Sequence, residues 1–298
     1  MKRLLLCALA LAWCSLAHAY TYVGGAQVSS ASAPGSITLG YTPASGDLLV
    51  LFVVYFHHSA ETVTPTDTQG NTWNTVISSD NTASYGGMRV FYAVAKSNTA
   101  NTITVTFGGL VTFPTAAVVE YSGLNSSPFV TGEFSFADHS VTSANYSAAN
   151  SNSSGSTPTL SGNPDLVVGV TYDTAGSSST GLWNAGTGFT GRQTIEFEGS
   201  TSNIVGRFED ELVSTNTPVA ATFTATTSAS TVAPVTAVIV FHQTSSGACT
   251  HSGYTSSGAM TVPNGTSGSF LGKSGAFVTP DCASIQYFQP TVGNFATN

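Results

Sequence analysis

Acidic side chains are the residues whose spacing in this chain could support catalysis. Hydrolysis of a glycosidic bond needs a carboxylic acid and a second carboxylate about 5–10 Å apart across a groove. Glu120 ends an apolar run, and Glu196 and Glu198 fall on one face of another strand-like run. We predict Glu120 and Glu198 as the candidate catalytic pair, with solvated charge at strand edges as the alternative. Glu209-Asp210-Glu211 is a second acidic cluster.

The segment Asp67-Thr68-Gln69-Gly70-Asn71 has the composition of a tight turn. An Asp in such a turn caps backbone amides, and a Gly accepts positive φ. Carboxylate and carbonyl oxygens are also the ligands that Ca²⁺ prefers, so Asp67 and Asn71 are candidate ligand-binding residues, with a structural calcium ion near Asp67 as a possibility. No other cofactor is expected.

Trp183 is the candidate aromatic platform. It lies in the loop Gly181-Leu182-Trp183-Asn184, and a tryptophan exposed there could stack on a sugar ring. A position at the edge of the core is the alternative.

Histidine and nucleophile patterns argue against several enzyme classes. His57 and His58 are adjacent at a strand end and point to opposite faces, while His139, His242 and His251 stand alone, so no transition-metal site is expected. The chain has no Gly-x-Ser-x-Gly motif and no phosphate-binding loop. These absences favour a protein without catalytic activity.

The first residues have the pattern of a secretory signal peptide. Lys2 and Arg3 precede an apolar run that ends at Ala17-His18-Ala19, which predicts cleavage after residue 19 and an extracellular or periplasmic protein. The run is shorter than the roughly 20 residues of a membrane helix, and no later segment approaches that length, so no membrane span is expected.

The chain carries few charges, and most of them are negative. Charged residues make up 7% of the sequence against about 25% in ordinary soluble domains. Loss of Lys2 and Arg3 with the leader would change the formal charge of −8 to −10. Because nucleic-acid affinity depends on clustered Lys and Arg, this composition excludes nucleic acid as a partner.

Two cysteines would remain after cleavage, Cys249 and Cys282. In an oxidising compartment we expect them to form a disulfide, with two free buried thiols as the alternative. Such a bond would stabilise the fold by about 3–4 kcal/mol in the chain-entropy model.

Short β-branched and aromatic runs between Gly, Pro, Asn and Ser clusters predict an all-β protein, an antiparallel sandwich or jelly roll. The strongest run is Asp47 to Phe56. The others are Met88 to Ala95, Thr102 to Phe107, Ala116 to Tyr121, Leu166 to Tyr172, Gln193 to Phe197, Val219 to Ala225 and Ala237 to Phe241.

The sequence also repeats itself. Asp47-Leu48-Leu49-Val50 returns as Asp165-Leu166-Val167-Val168, an offset of 118 residues, and the run ending at Tyr121 returns as the run ending at Phe241, an offset of 120. We therefore expect pseudo-repeats at about 20–125 and 150–243, with residues 140–161 as a polar linker. Because each half supplies few recognisable strands, one jelly roll over residues 20–243 is preferred to two tandem sandwiches. Residues 244–298 form a small Cys-containing β appendix.

The segments Gly46-Asp47-Leu48-Leu49-Val50, Asp67-Thr68-Gln69-Gly70-Asn71-Thr72-Trp73 and Glu120-Tyr121-Ser122-Gly123-Leu124 resemble a recurrent module of secreted bacterial proteins. The resemblance covers roughly residues 20–243 and implies a concanavalin-like jelly roll. Its motifs are turn and core residues, so it implies a scaffold and no catalytic residue.

These observations favour a secreted binding or surface-interaction module that recognises carbohydrate, either an extracellular polysaccharide or a cell-surface glycan, or another extracellular polymer. A jelly-roll glycoside hydrolase that uses the paired glutamates is the alternative. An extracellular structural or matrix subunit is third, and it would associate through exposed strand edges.

Overall fold

The computed structural model is composed of β-strands, and its described residues contain no helix. The all-β antiparallel class predicted from the sequence is confirmed. No described segment is a helix long and apolar enough to span a membrane. The described residues are 20–56, 61–81, 86–124, 126–138, 144–146, 151–161, 164–173, 183–198, 203–226, 229–232, 234–242, 260–261 and 267–268. The proposed leader, Cys249, Cys282 and every histidine except His242 lie outside them.

The chain divides into two compact units, residues 1–243 and 244–298. The first unit contains two successive sets of strands. The first set, called the first roll, consists of β1 (Thr21–Ser29), β2 (Ser36–Tyr41), β3 (Leu48–Phe56), β4 (Val63–Asp67), β5 (Asn74–Asn81), β6 (Gly86–Val94), β7 (Asn101–Phe107) and β8 (Thr112–Ser122).

The second set, called the second roll, has two additional short strands. It consists of β9 (Phe129–Asp138), β10 (Ala144–Tyr146), β11 (Ser151–Ser153), β12 (Asp165–Asp173), β13 (Trp183–Ala185), β14 (Thr190–Glu198), β15 (Asn203–Val213), β16 (Thr222–Ala225), β17 (Ala229–Val232) and β18 (Val235–His242). In the second unit the described residues form one antiparallel pair, β19 (Met260–Thr261) with β20 (Ser267–Gly268).

The two rolls have the same topology. The first roll has a five-stranded sheet in the order β1-β8-β3-β6-β5 and a three-stranded sheet in the order β2-β7-β4. The second roll has β9-β18-β12-β15-β14 and β11-β16-β13, which is the same order strand for strand, with β10-β17 as an extra pair. The strands of each roll can be numbered one to eight if the extra pair β10-β17 is left out. Strands one, eight, three, six and five then form one sheet, and strands two, seven and four form the other. This is the jelly-roll arrangement.

The preference for one jelly roll built from two halves is therefore wrong, because each half is a complete roll. The second repeat also begins at β9, about 20 residues before the predicted start. The predicted polar linker contains β10 and β11, and β11 pairs with β16 as β2 pairs with β7. Ser151-Asn152-Ser153 has no apolar residue, so the strand gave no periodic signal.

The five-stranded sheets are buried on both faces, which explains their long apolar runs. In β3, the even-numbered Leu48 to Val54 face the second roll, and the odd-numbered Leu49 to Tyr55 face the three-stranded sheet of the first roll. Phe52 shows the contact between the rolls directly, because its ring centroid lies 5.7 Å from that of Tyr172 and 5.9 Å from that of Phe208.

The first unit thus has three hydrophobic cores in a four-layer stack of three, five, five and three strands. The central core joins the two five-stranded sheets and includes Leu48, Val50, Phe52, Val119, Leu166, Val168, Phe208 and Ile239. The first inner core lies within the first roll and includes Ile37, Leu39, Leu51, Val53, Phe91, Ile103, Val105 and Ala116. The second inner core lies within the second roll and includes Leu160, Val167, Trp183, Val205, Phe223 and Val240.

Candidate functional site

Glu120 is buried inside the first roll. It follows Ala116 and Val118 on the face of β8 that packs on the first inner core, and its residue is 1% exposed. Its carboxylate accepts hydrogen bonds from the Tyr41 hydroxyl at 2.6 Å and from the Ala44 amide at 2.7 Å. The carboxylate therefore closes the loop between β2 and β3.

The carboxyl group of Asp47 is hydrogen-bonded to that of Glu120. Burial, that hydrogen bond and the nearby negative charge raise the pKa of Asp47 to about 6. Burial and the Glu120 hydrogen bond likewise raise the pKa of Tyr41. Two carboxyl groups in direct contact leave no room for a glycosidic bond between them.

Glu198 belongs to a different sheet. It ends β14, where it pairs with Asn203, and its side chain lies outside the described part of the structure. Glu120 faces the first inner core, which is on the side of its sheet turned away from the second roll. The structure therefore does not bring Glu120 to a groove that it could share with Glu198, and this candidate catalytic pair is not supported.

Both carboxylate oxygens of Asp67 accept hydrogen bonds from residues close to it in the chain. Its Oδ1 accepts the Asn71 amide at 3.0 Å, and its Oδ2 accepts Asn71 Nδ2 and Trp73 Nε1, both at 2.9 Å. Gly70 has φ +66°, as the turn requires. Asn71 Oδ1 accepts the Lys96 amide at 2.9 Å. Because N–H donors occupy both carboxylate oxygens, the geometry favours the turn over the calcium site.

Trp183 is a core residue, so the platform prediction is wrong. It begins β13, is 2% exposed and packs in the second inner core. The strand pairing explains the error, because Trp183 lies opposite Ala225 of β16 and its ring points into the roll. The short strand β13 has only three residues, too few to show a period in the sequence.

The acidic run of β15 alternates between the two faces of its sheet. Glu209 is fully buried on the inner side and accepts the amides of Gly186 at 2.7 Å and Thr222 at 3.2 Å. Burial raises the pKa of Glu209 to about 8. Asp210 points the other way and forms a bidentate pair with Arg192, at 2.6 and 2.9 Å. Neither carboxylate faces a groove.

A cluster that the sequence did not predict lies where β9, β12 and β18 meet. His242 Nε2 is 2.9 Å from Glu133 Oε2, and His242 Nδ1 contacts Asp165 Oδ1. Glu133 Oε1 also accepts the Ser161 amide at 2.9 Å and the Ser161 hydroxyl at 2.5 Å. His242 is therefore not isolated. Its partners are 77 and 109 positions away in the chain, so only the strand order brings them together.

This cluster resembles a Ser-His-Asp arrangement but lacks its chemistry. A general base needs a free imidazole nitrogen facing the serine hydroxyl. His242 Nε2 is closer to Glu133, at 2.9 Å, than to Ser161 Oγ, at 3.3 Å, and the Ser161 hydroxyl already donates to Glu133. The geometry instead groups two carboxylates and one imidazole, a set of donors that could hold a metal ion.

The outer face of the β2-β7-β4 sheet is an array of hydroxyl groups. Strand register aligns Ser36, Thr106 and Thr64 in one row and Thr38, Thr104 and Thr66 in the next, with Thr102 in a third. All are solvent-exposed except Thr104, which is half-buried. Neighbouring residues are about 4.8 Å apart across strands and about 6.7 Å along them. We call these seven residues the hydroxyl face.

The outer sheet of the second roll has a smaller version of this surface. Ser151, Thr224 and Asn184 form one row, and Ser153 lies opposite Thr222. The strands β2, β4, β7, β11, β13 and β16 lie within the described residues, and none of them has a charged side chain at an outward-facing position. The high β-strand propensity of Thr explains part of this composition. Edge strands, however, usually carry charged side chains that prevent pairing with other chains, and the outward faces of these edge strands carry none.

Comparison of the chain with models of protein families, with curated proteins and with solved structures gave no match.

Proposed function

We propose that this protein is a secreted binding module whose hydroxyl face attaches to an uncharged, repetitive polysaccharide. The observation that carries the proposal is the hydroxyl face itself, with seven Ser and Thr side chains in register on three strands and no charge among them. The proposed leader supports a site of action outside the cytoplasm.

The chemistry of the face selects the class of ligand. Each hydroxyl can both donate and accept a hydrogen bond, as can each hydroxyl of a sugar. One such bond contributes little in water, because it replaces a bond to water, so binding must come from many bonds in register. A polymer with a regular repeat provides that register, whereas a small sugar does not. The net negative charge of the chain disfavours anionic polymers.

Co-sedimentation with insoluble polysaccharides tests this proposal. Mature protein is incubated with cellulose and chitin as neutral polymers and with an insoluble polyanionic gel for comparison. We expect binding to a neutral polymer that is unchanged between about 50 and 500 mM NaCl, because no ion pair contributes. Binding to the polyanion alone would contradict the proposal, as would binding to none of the polymers.

The triple variant Thr38→Val, Thr66→Val and Thr104→Val removes one row of hydroxyls and keeps side-chain shape. At about 0.5–1 kcal/mol for each bond, affinity should fall about 10-fold or more. The control is Thr215→Val with Thr217→Val, the same chemical change in an exposed loop, which should bind like the wild type. Equal affinity of the triple variant and the wild type would rule out the hydroxyl face.

A further inference from the structure

The cluster of Glu133, Asp165 and His242 is independent of the hydroxyl face. One ligand atom from each residue can be chosen so that all three lie within 4.8 Å of one another. Glu133 is 6% exposed, Asp165 is fully buried, and the His242 side chain is 12% exposed. The site is therefore shielded but reachable from solvent on its histidine side.

Buried polar atoms at this site lack partners. Asp165 Oδ2 has no hydrogen-bond partner, and Glu133 Oε2 has none beyond its 2.9 Å approach to the imidazole. Buried carboxylate oxygens are normally satisfied by donors or by a cation, since desolvating them alone is costly.

The charges in the cluster do not balance. Two carboxylates face one imidazole, which supplies at most a single positive charge. No lysine or arginine in the described part of the chain pairs with Glu133 or Asp165, and Arg192 is committed to Asp210. A divalent cation beside a neutral imidazole would bring the site to neutrality.

We propose that Glu133 and the Nε2 atom of His242 bind a divalent transition-metal ion such as Zn²⁺, while Asp165 accepts the Nδ1 proton and orients the imidazole. Imidazole nitrogen with carboxylate oxygen is a ligand set typical of zinc and unlike the all-oxygen sets of Ca²⁺ and Mg²⁺. The ion would link β9 to β18, and Asp165 would hold the imidazole from β12. The exposed Ser161 hydroxyl lies beside the cluster, at 2.5 Å from Glu133 Oε1, and orients that carboxylate.

The first roll provides a natural comparison because it lacks this set. Asp47 occupies the place of Asp165 at the start of the third strand, but Ser122 and Gly24 stand where the second roll has His242 and Glu133. Asp47→Asn is therefore the matched control for variants of the cluster.

The test is zinc titration of the mature full-length chain after chelator treatment, followed by isothermal titration calorimetry and thermal unfolding. The wild type should bind one Zn²⁺, and its Tm should rise by about 5 °C or more at a zinc concentration about 100-fold above Kd. Glu133→Gln and His242→Gln should each weaken zinc affinity by at least about 10–100-fold, while Asp47→Asn should bind like the wild type.

X-ray absorption at the zinc edge keeps the proposal testable if the variants fold poorly. A shell of light nitrogen and oxygen ligands with the outer-shell scattering of an imidazole ring is the expected result for the wild type. An all-oxygen or sulfur-containing shell, no saturable zinc binding by the wild type, or wild-type affinity in both cluster variants would each overturn the proposal.

Discussion

The two rolls share one strand order but enclose different interiors. Ile37, Val53 and Ala116 meet in the first inner core. Their counterparts in the second roll are Asn152, Thr171 and Thr236, which are buried and hydrogen-bonded to one another. The register of β3 with β8 and of β12 with β18 relates Val53 and Ala116 to Thr171 and Thr236. The pairing of β2 with β7 and of β11 with β16 relates Ile37 to Asn152.

A second exchange of the same kind occurs in the sixth strand. Phe91 of β6 packs in the first inner core, while Glu209 of β15 takes the equivalent place and bonds to two backbone amides. Gly169 makes room for it, because a Cβ there would lie 2.7 Å from Glu209 Cγ. The comparison shows that the topology tolerates a polar interior when the buried groups pair, as the cost of burial requires.

What the rolls share is the central core, and its loss should have the largest effect. Phe52→Ala removes a fully buried ring that contacts Tyr172 and Phe208 of the other roll, and we expect a loss of about 3–5 kcal/mol in the free energy of unfolding. Urea denaturation measures it. Leu110→Ala is the control, because Leu110 is 68% exposed and its removal should change stability by less than about 0.5 kcal/mol. A similar small effect for both variants would show that the rolls do not depend on each other.

Glu209 should make stability depend on pH. Burial raises its pKa from 4.5 in the unfolded chain to about 8, so the folded state binds the extra proton between these values. The stabilising contribution is therefore complete below about pH 4.5 and is lost as pH rises through 8, at up to about 1.4 kcal/mol per pH unit.

Denaturation of the wild type and of Glu209→Gln across this pH range measures the difference. The Gln variant cannot ionise, so its stability relative to the wild type should rise with pH. A constant difference between the two proteins from pH 4.5 to 8 would show that folding does not raise the pKa of Glu209.

Exchanging a single residue between the rolls should destabilise the protein in both directions. Thr236→Ala leaves Asn152 and Thr171 short of a partner, and Ala116→Thr places a hydroxyl in an apolar core. Each variant makes a residue identical to its counterpart, and each should cost about 1–3 kcal/mol in thermal unfolding. The triple variant Asn152→Ile, Thr171→Val and Thr236→Ala replaces the whole polar network by the apolar residues of the first roll. Its free energy of unfolding should lie within about 1 kcal/mol of the wild-type value. A larger loss would show that the network cannot be replaced as a unit.

The smallest expected difference in stability is between two arginine variants, because both rolls have an arginine at the same position of the sixth strand. Arg89 donates to the carbonyls of Ser79, Met88 and Glu61, whereas its counterpart Arg207 has a bond to the Trp183 carbonyl. Arg89→Met should cost about 2 kcal/mol and Arg207→Met about 1 kcal/mol, because more carbonyls lose a charged donor in the first roll. Chemical denaturation gives both values, and the reverse order would contradict the explanation.

The sequence predicted the strands that are buried on both faces. The continuous apolar runs of β3, β8, β12 and β18 each gave a clear signal, since both sides of these strands pack on a core. It did not predict β1 or β11, whose residues are mostly polar or Gly. It also missed β15, where the buried carboxyl groups of Glu209 and Asp210 interrupt the apolar pattern.

The candidate sites were harder to predict than the fold. Glu120 suggested catalysis because an acid at a strand end is usually exposed, but its partners Tyr41 and Ala44 are more than 70 residues away. The hydroxyl face depends on strand register, and the cluster around His242 depends on strand order. Neither can be obtained from local periodicity.

Hydrogen exchange followed by mass spectrometry tests most directly whether the central core makes the two rolls one folding unit. The amides of β3 and β12, at the centre of the two five-stranded sheets, should exchange with the same free energy of opening, and Phe52→Ala should lower both values equally. Two distinct free energies that differ by more than about 2 kcal/mol, with only β3 affected by Phe52→Ala, would contradict the account and show that the rolls unfold independently.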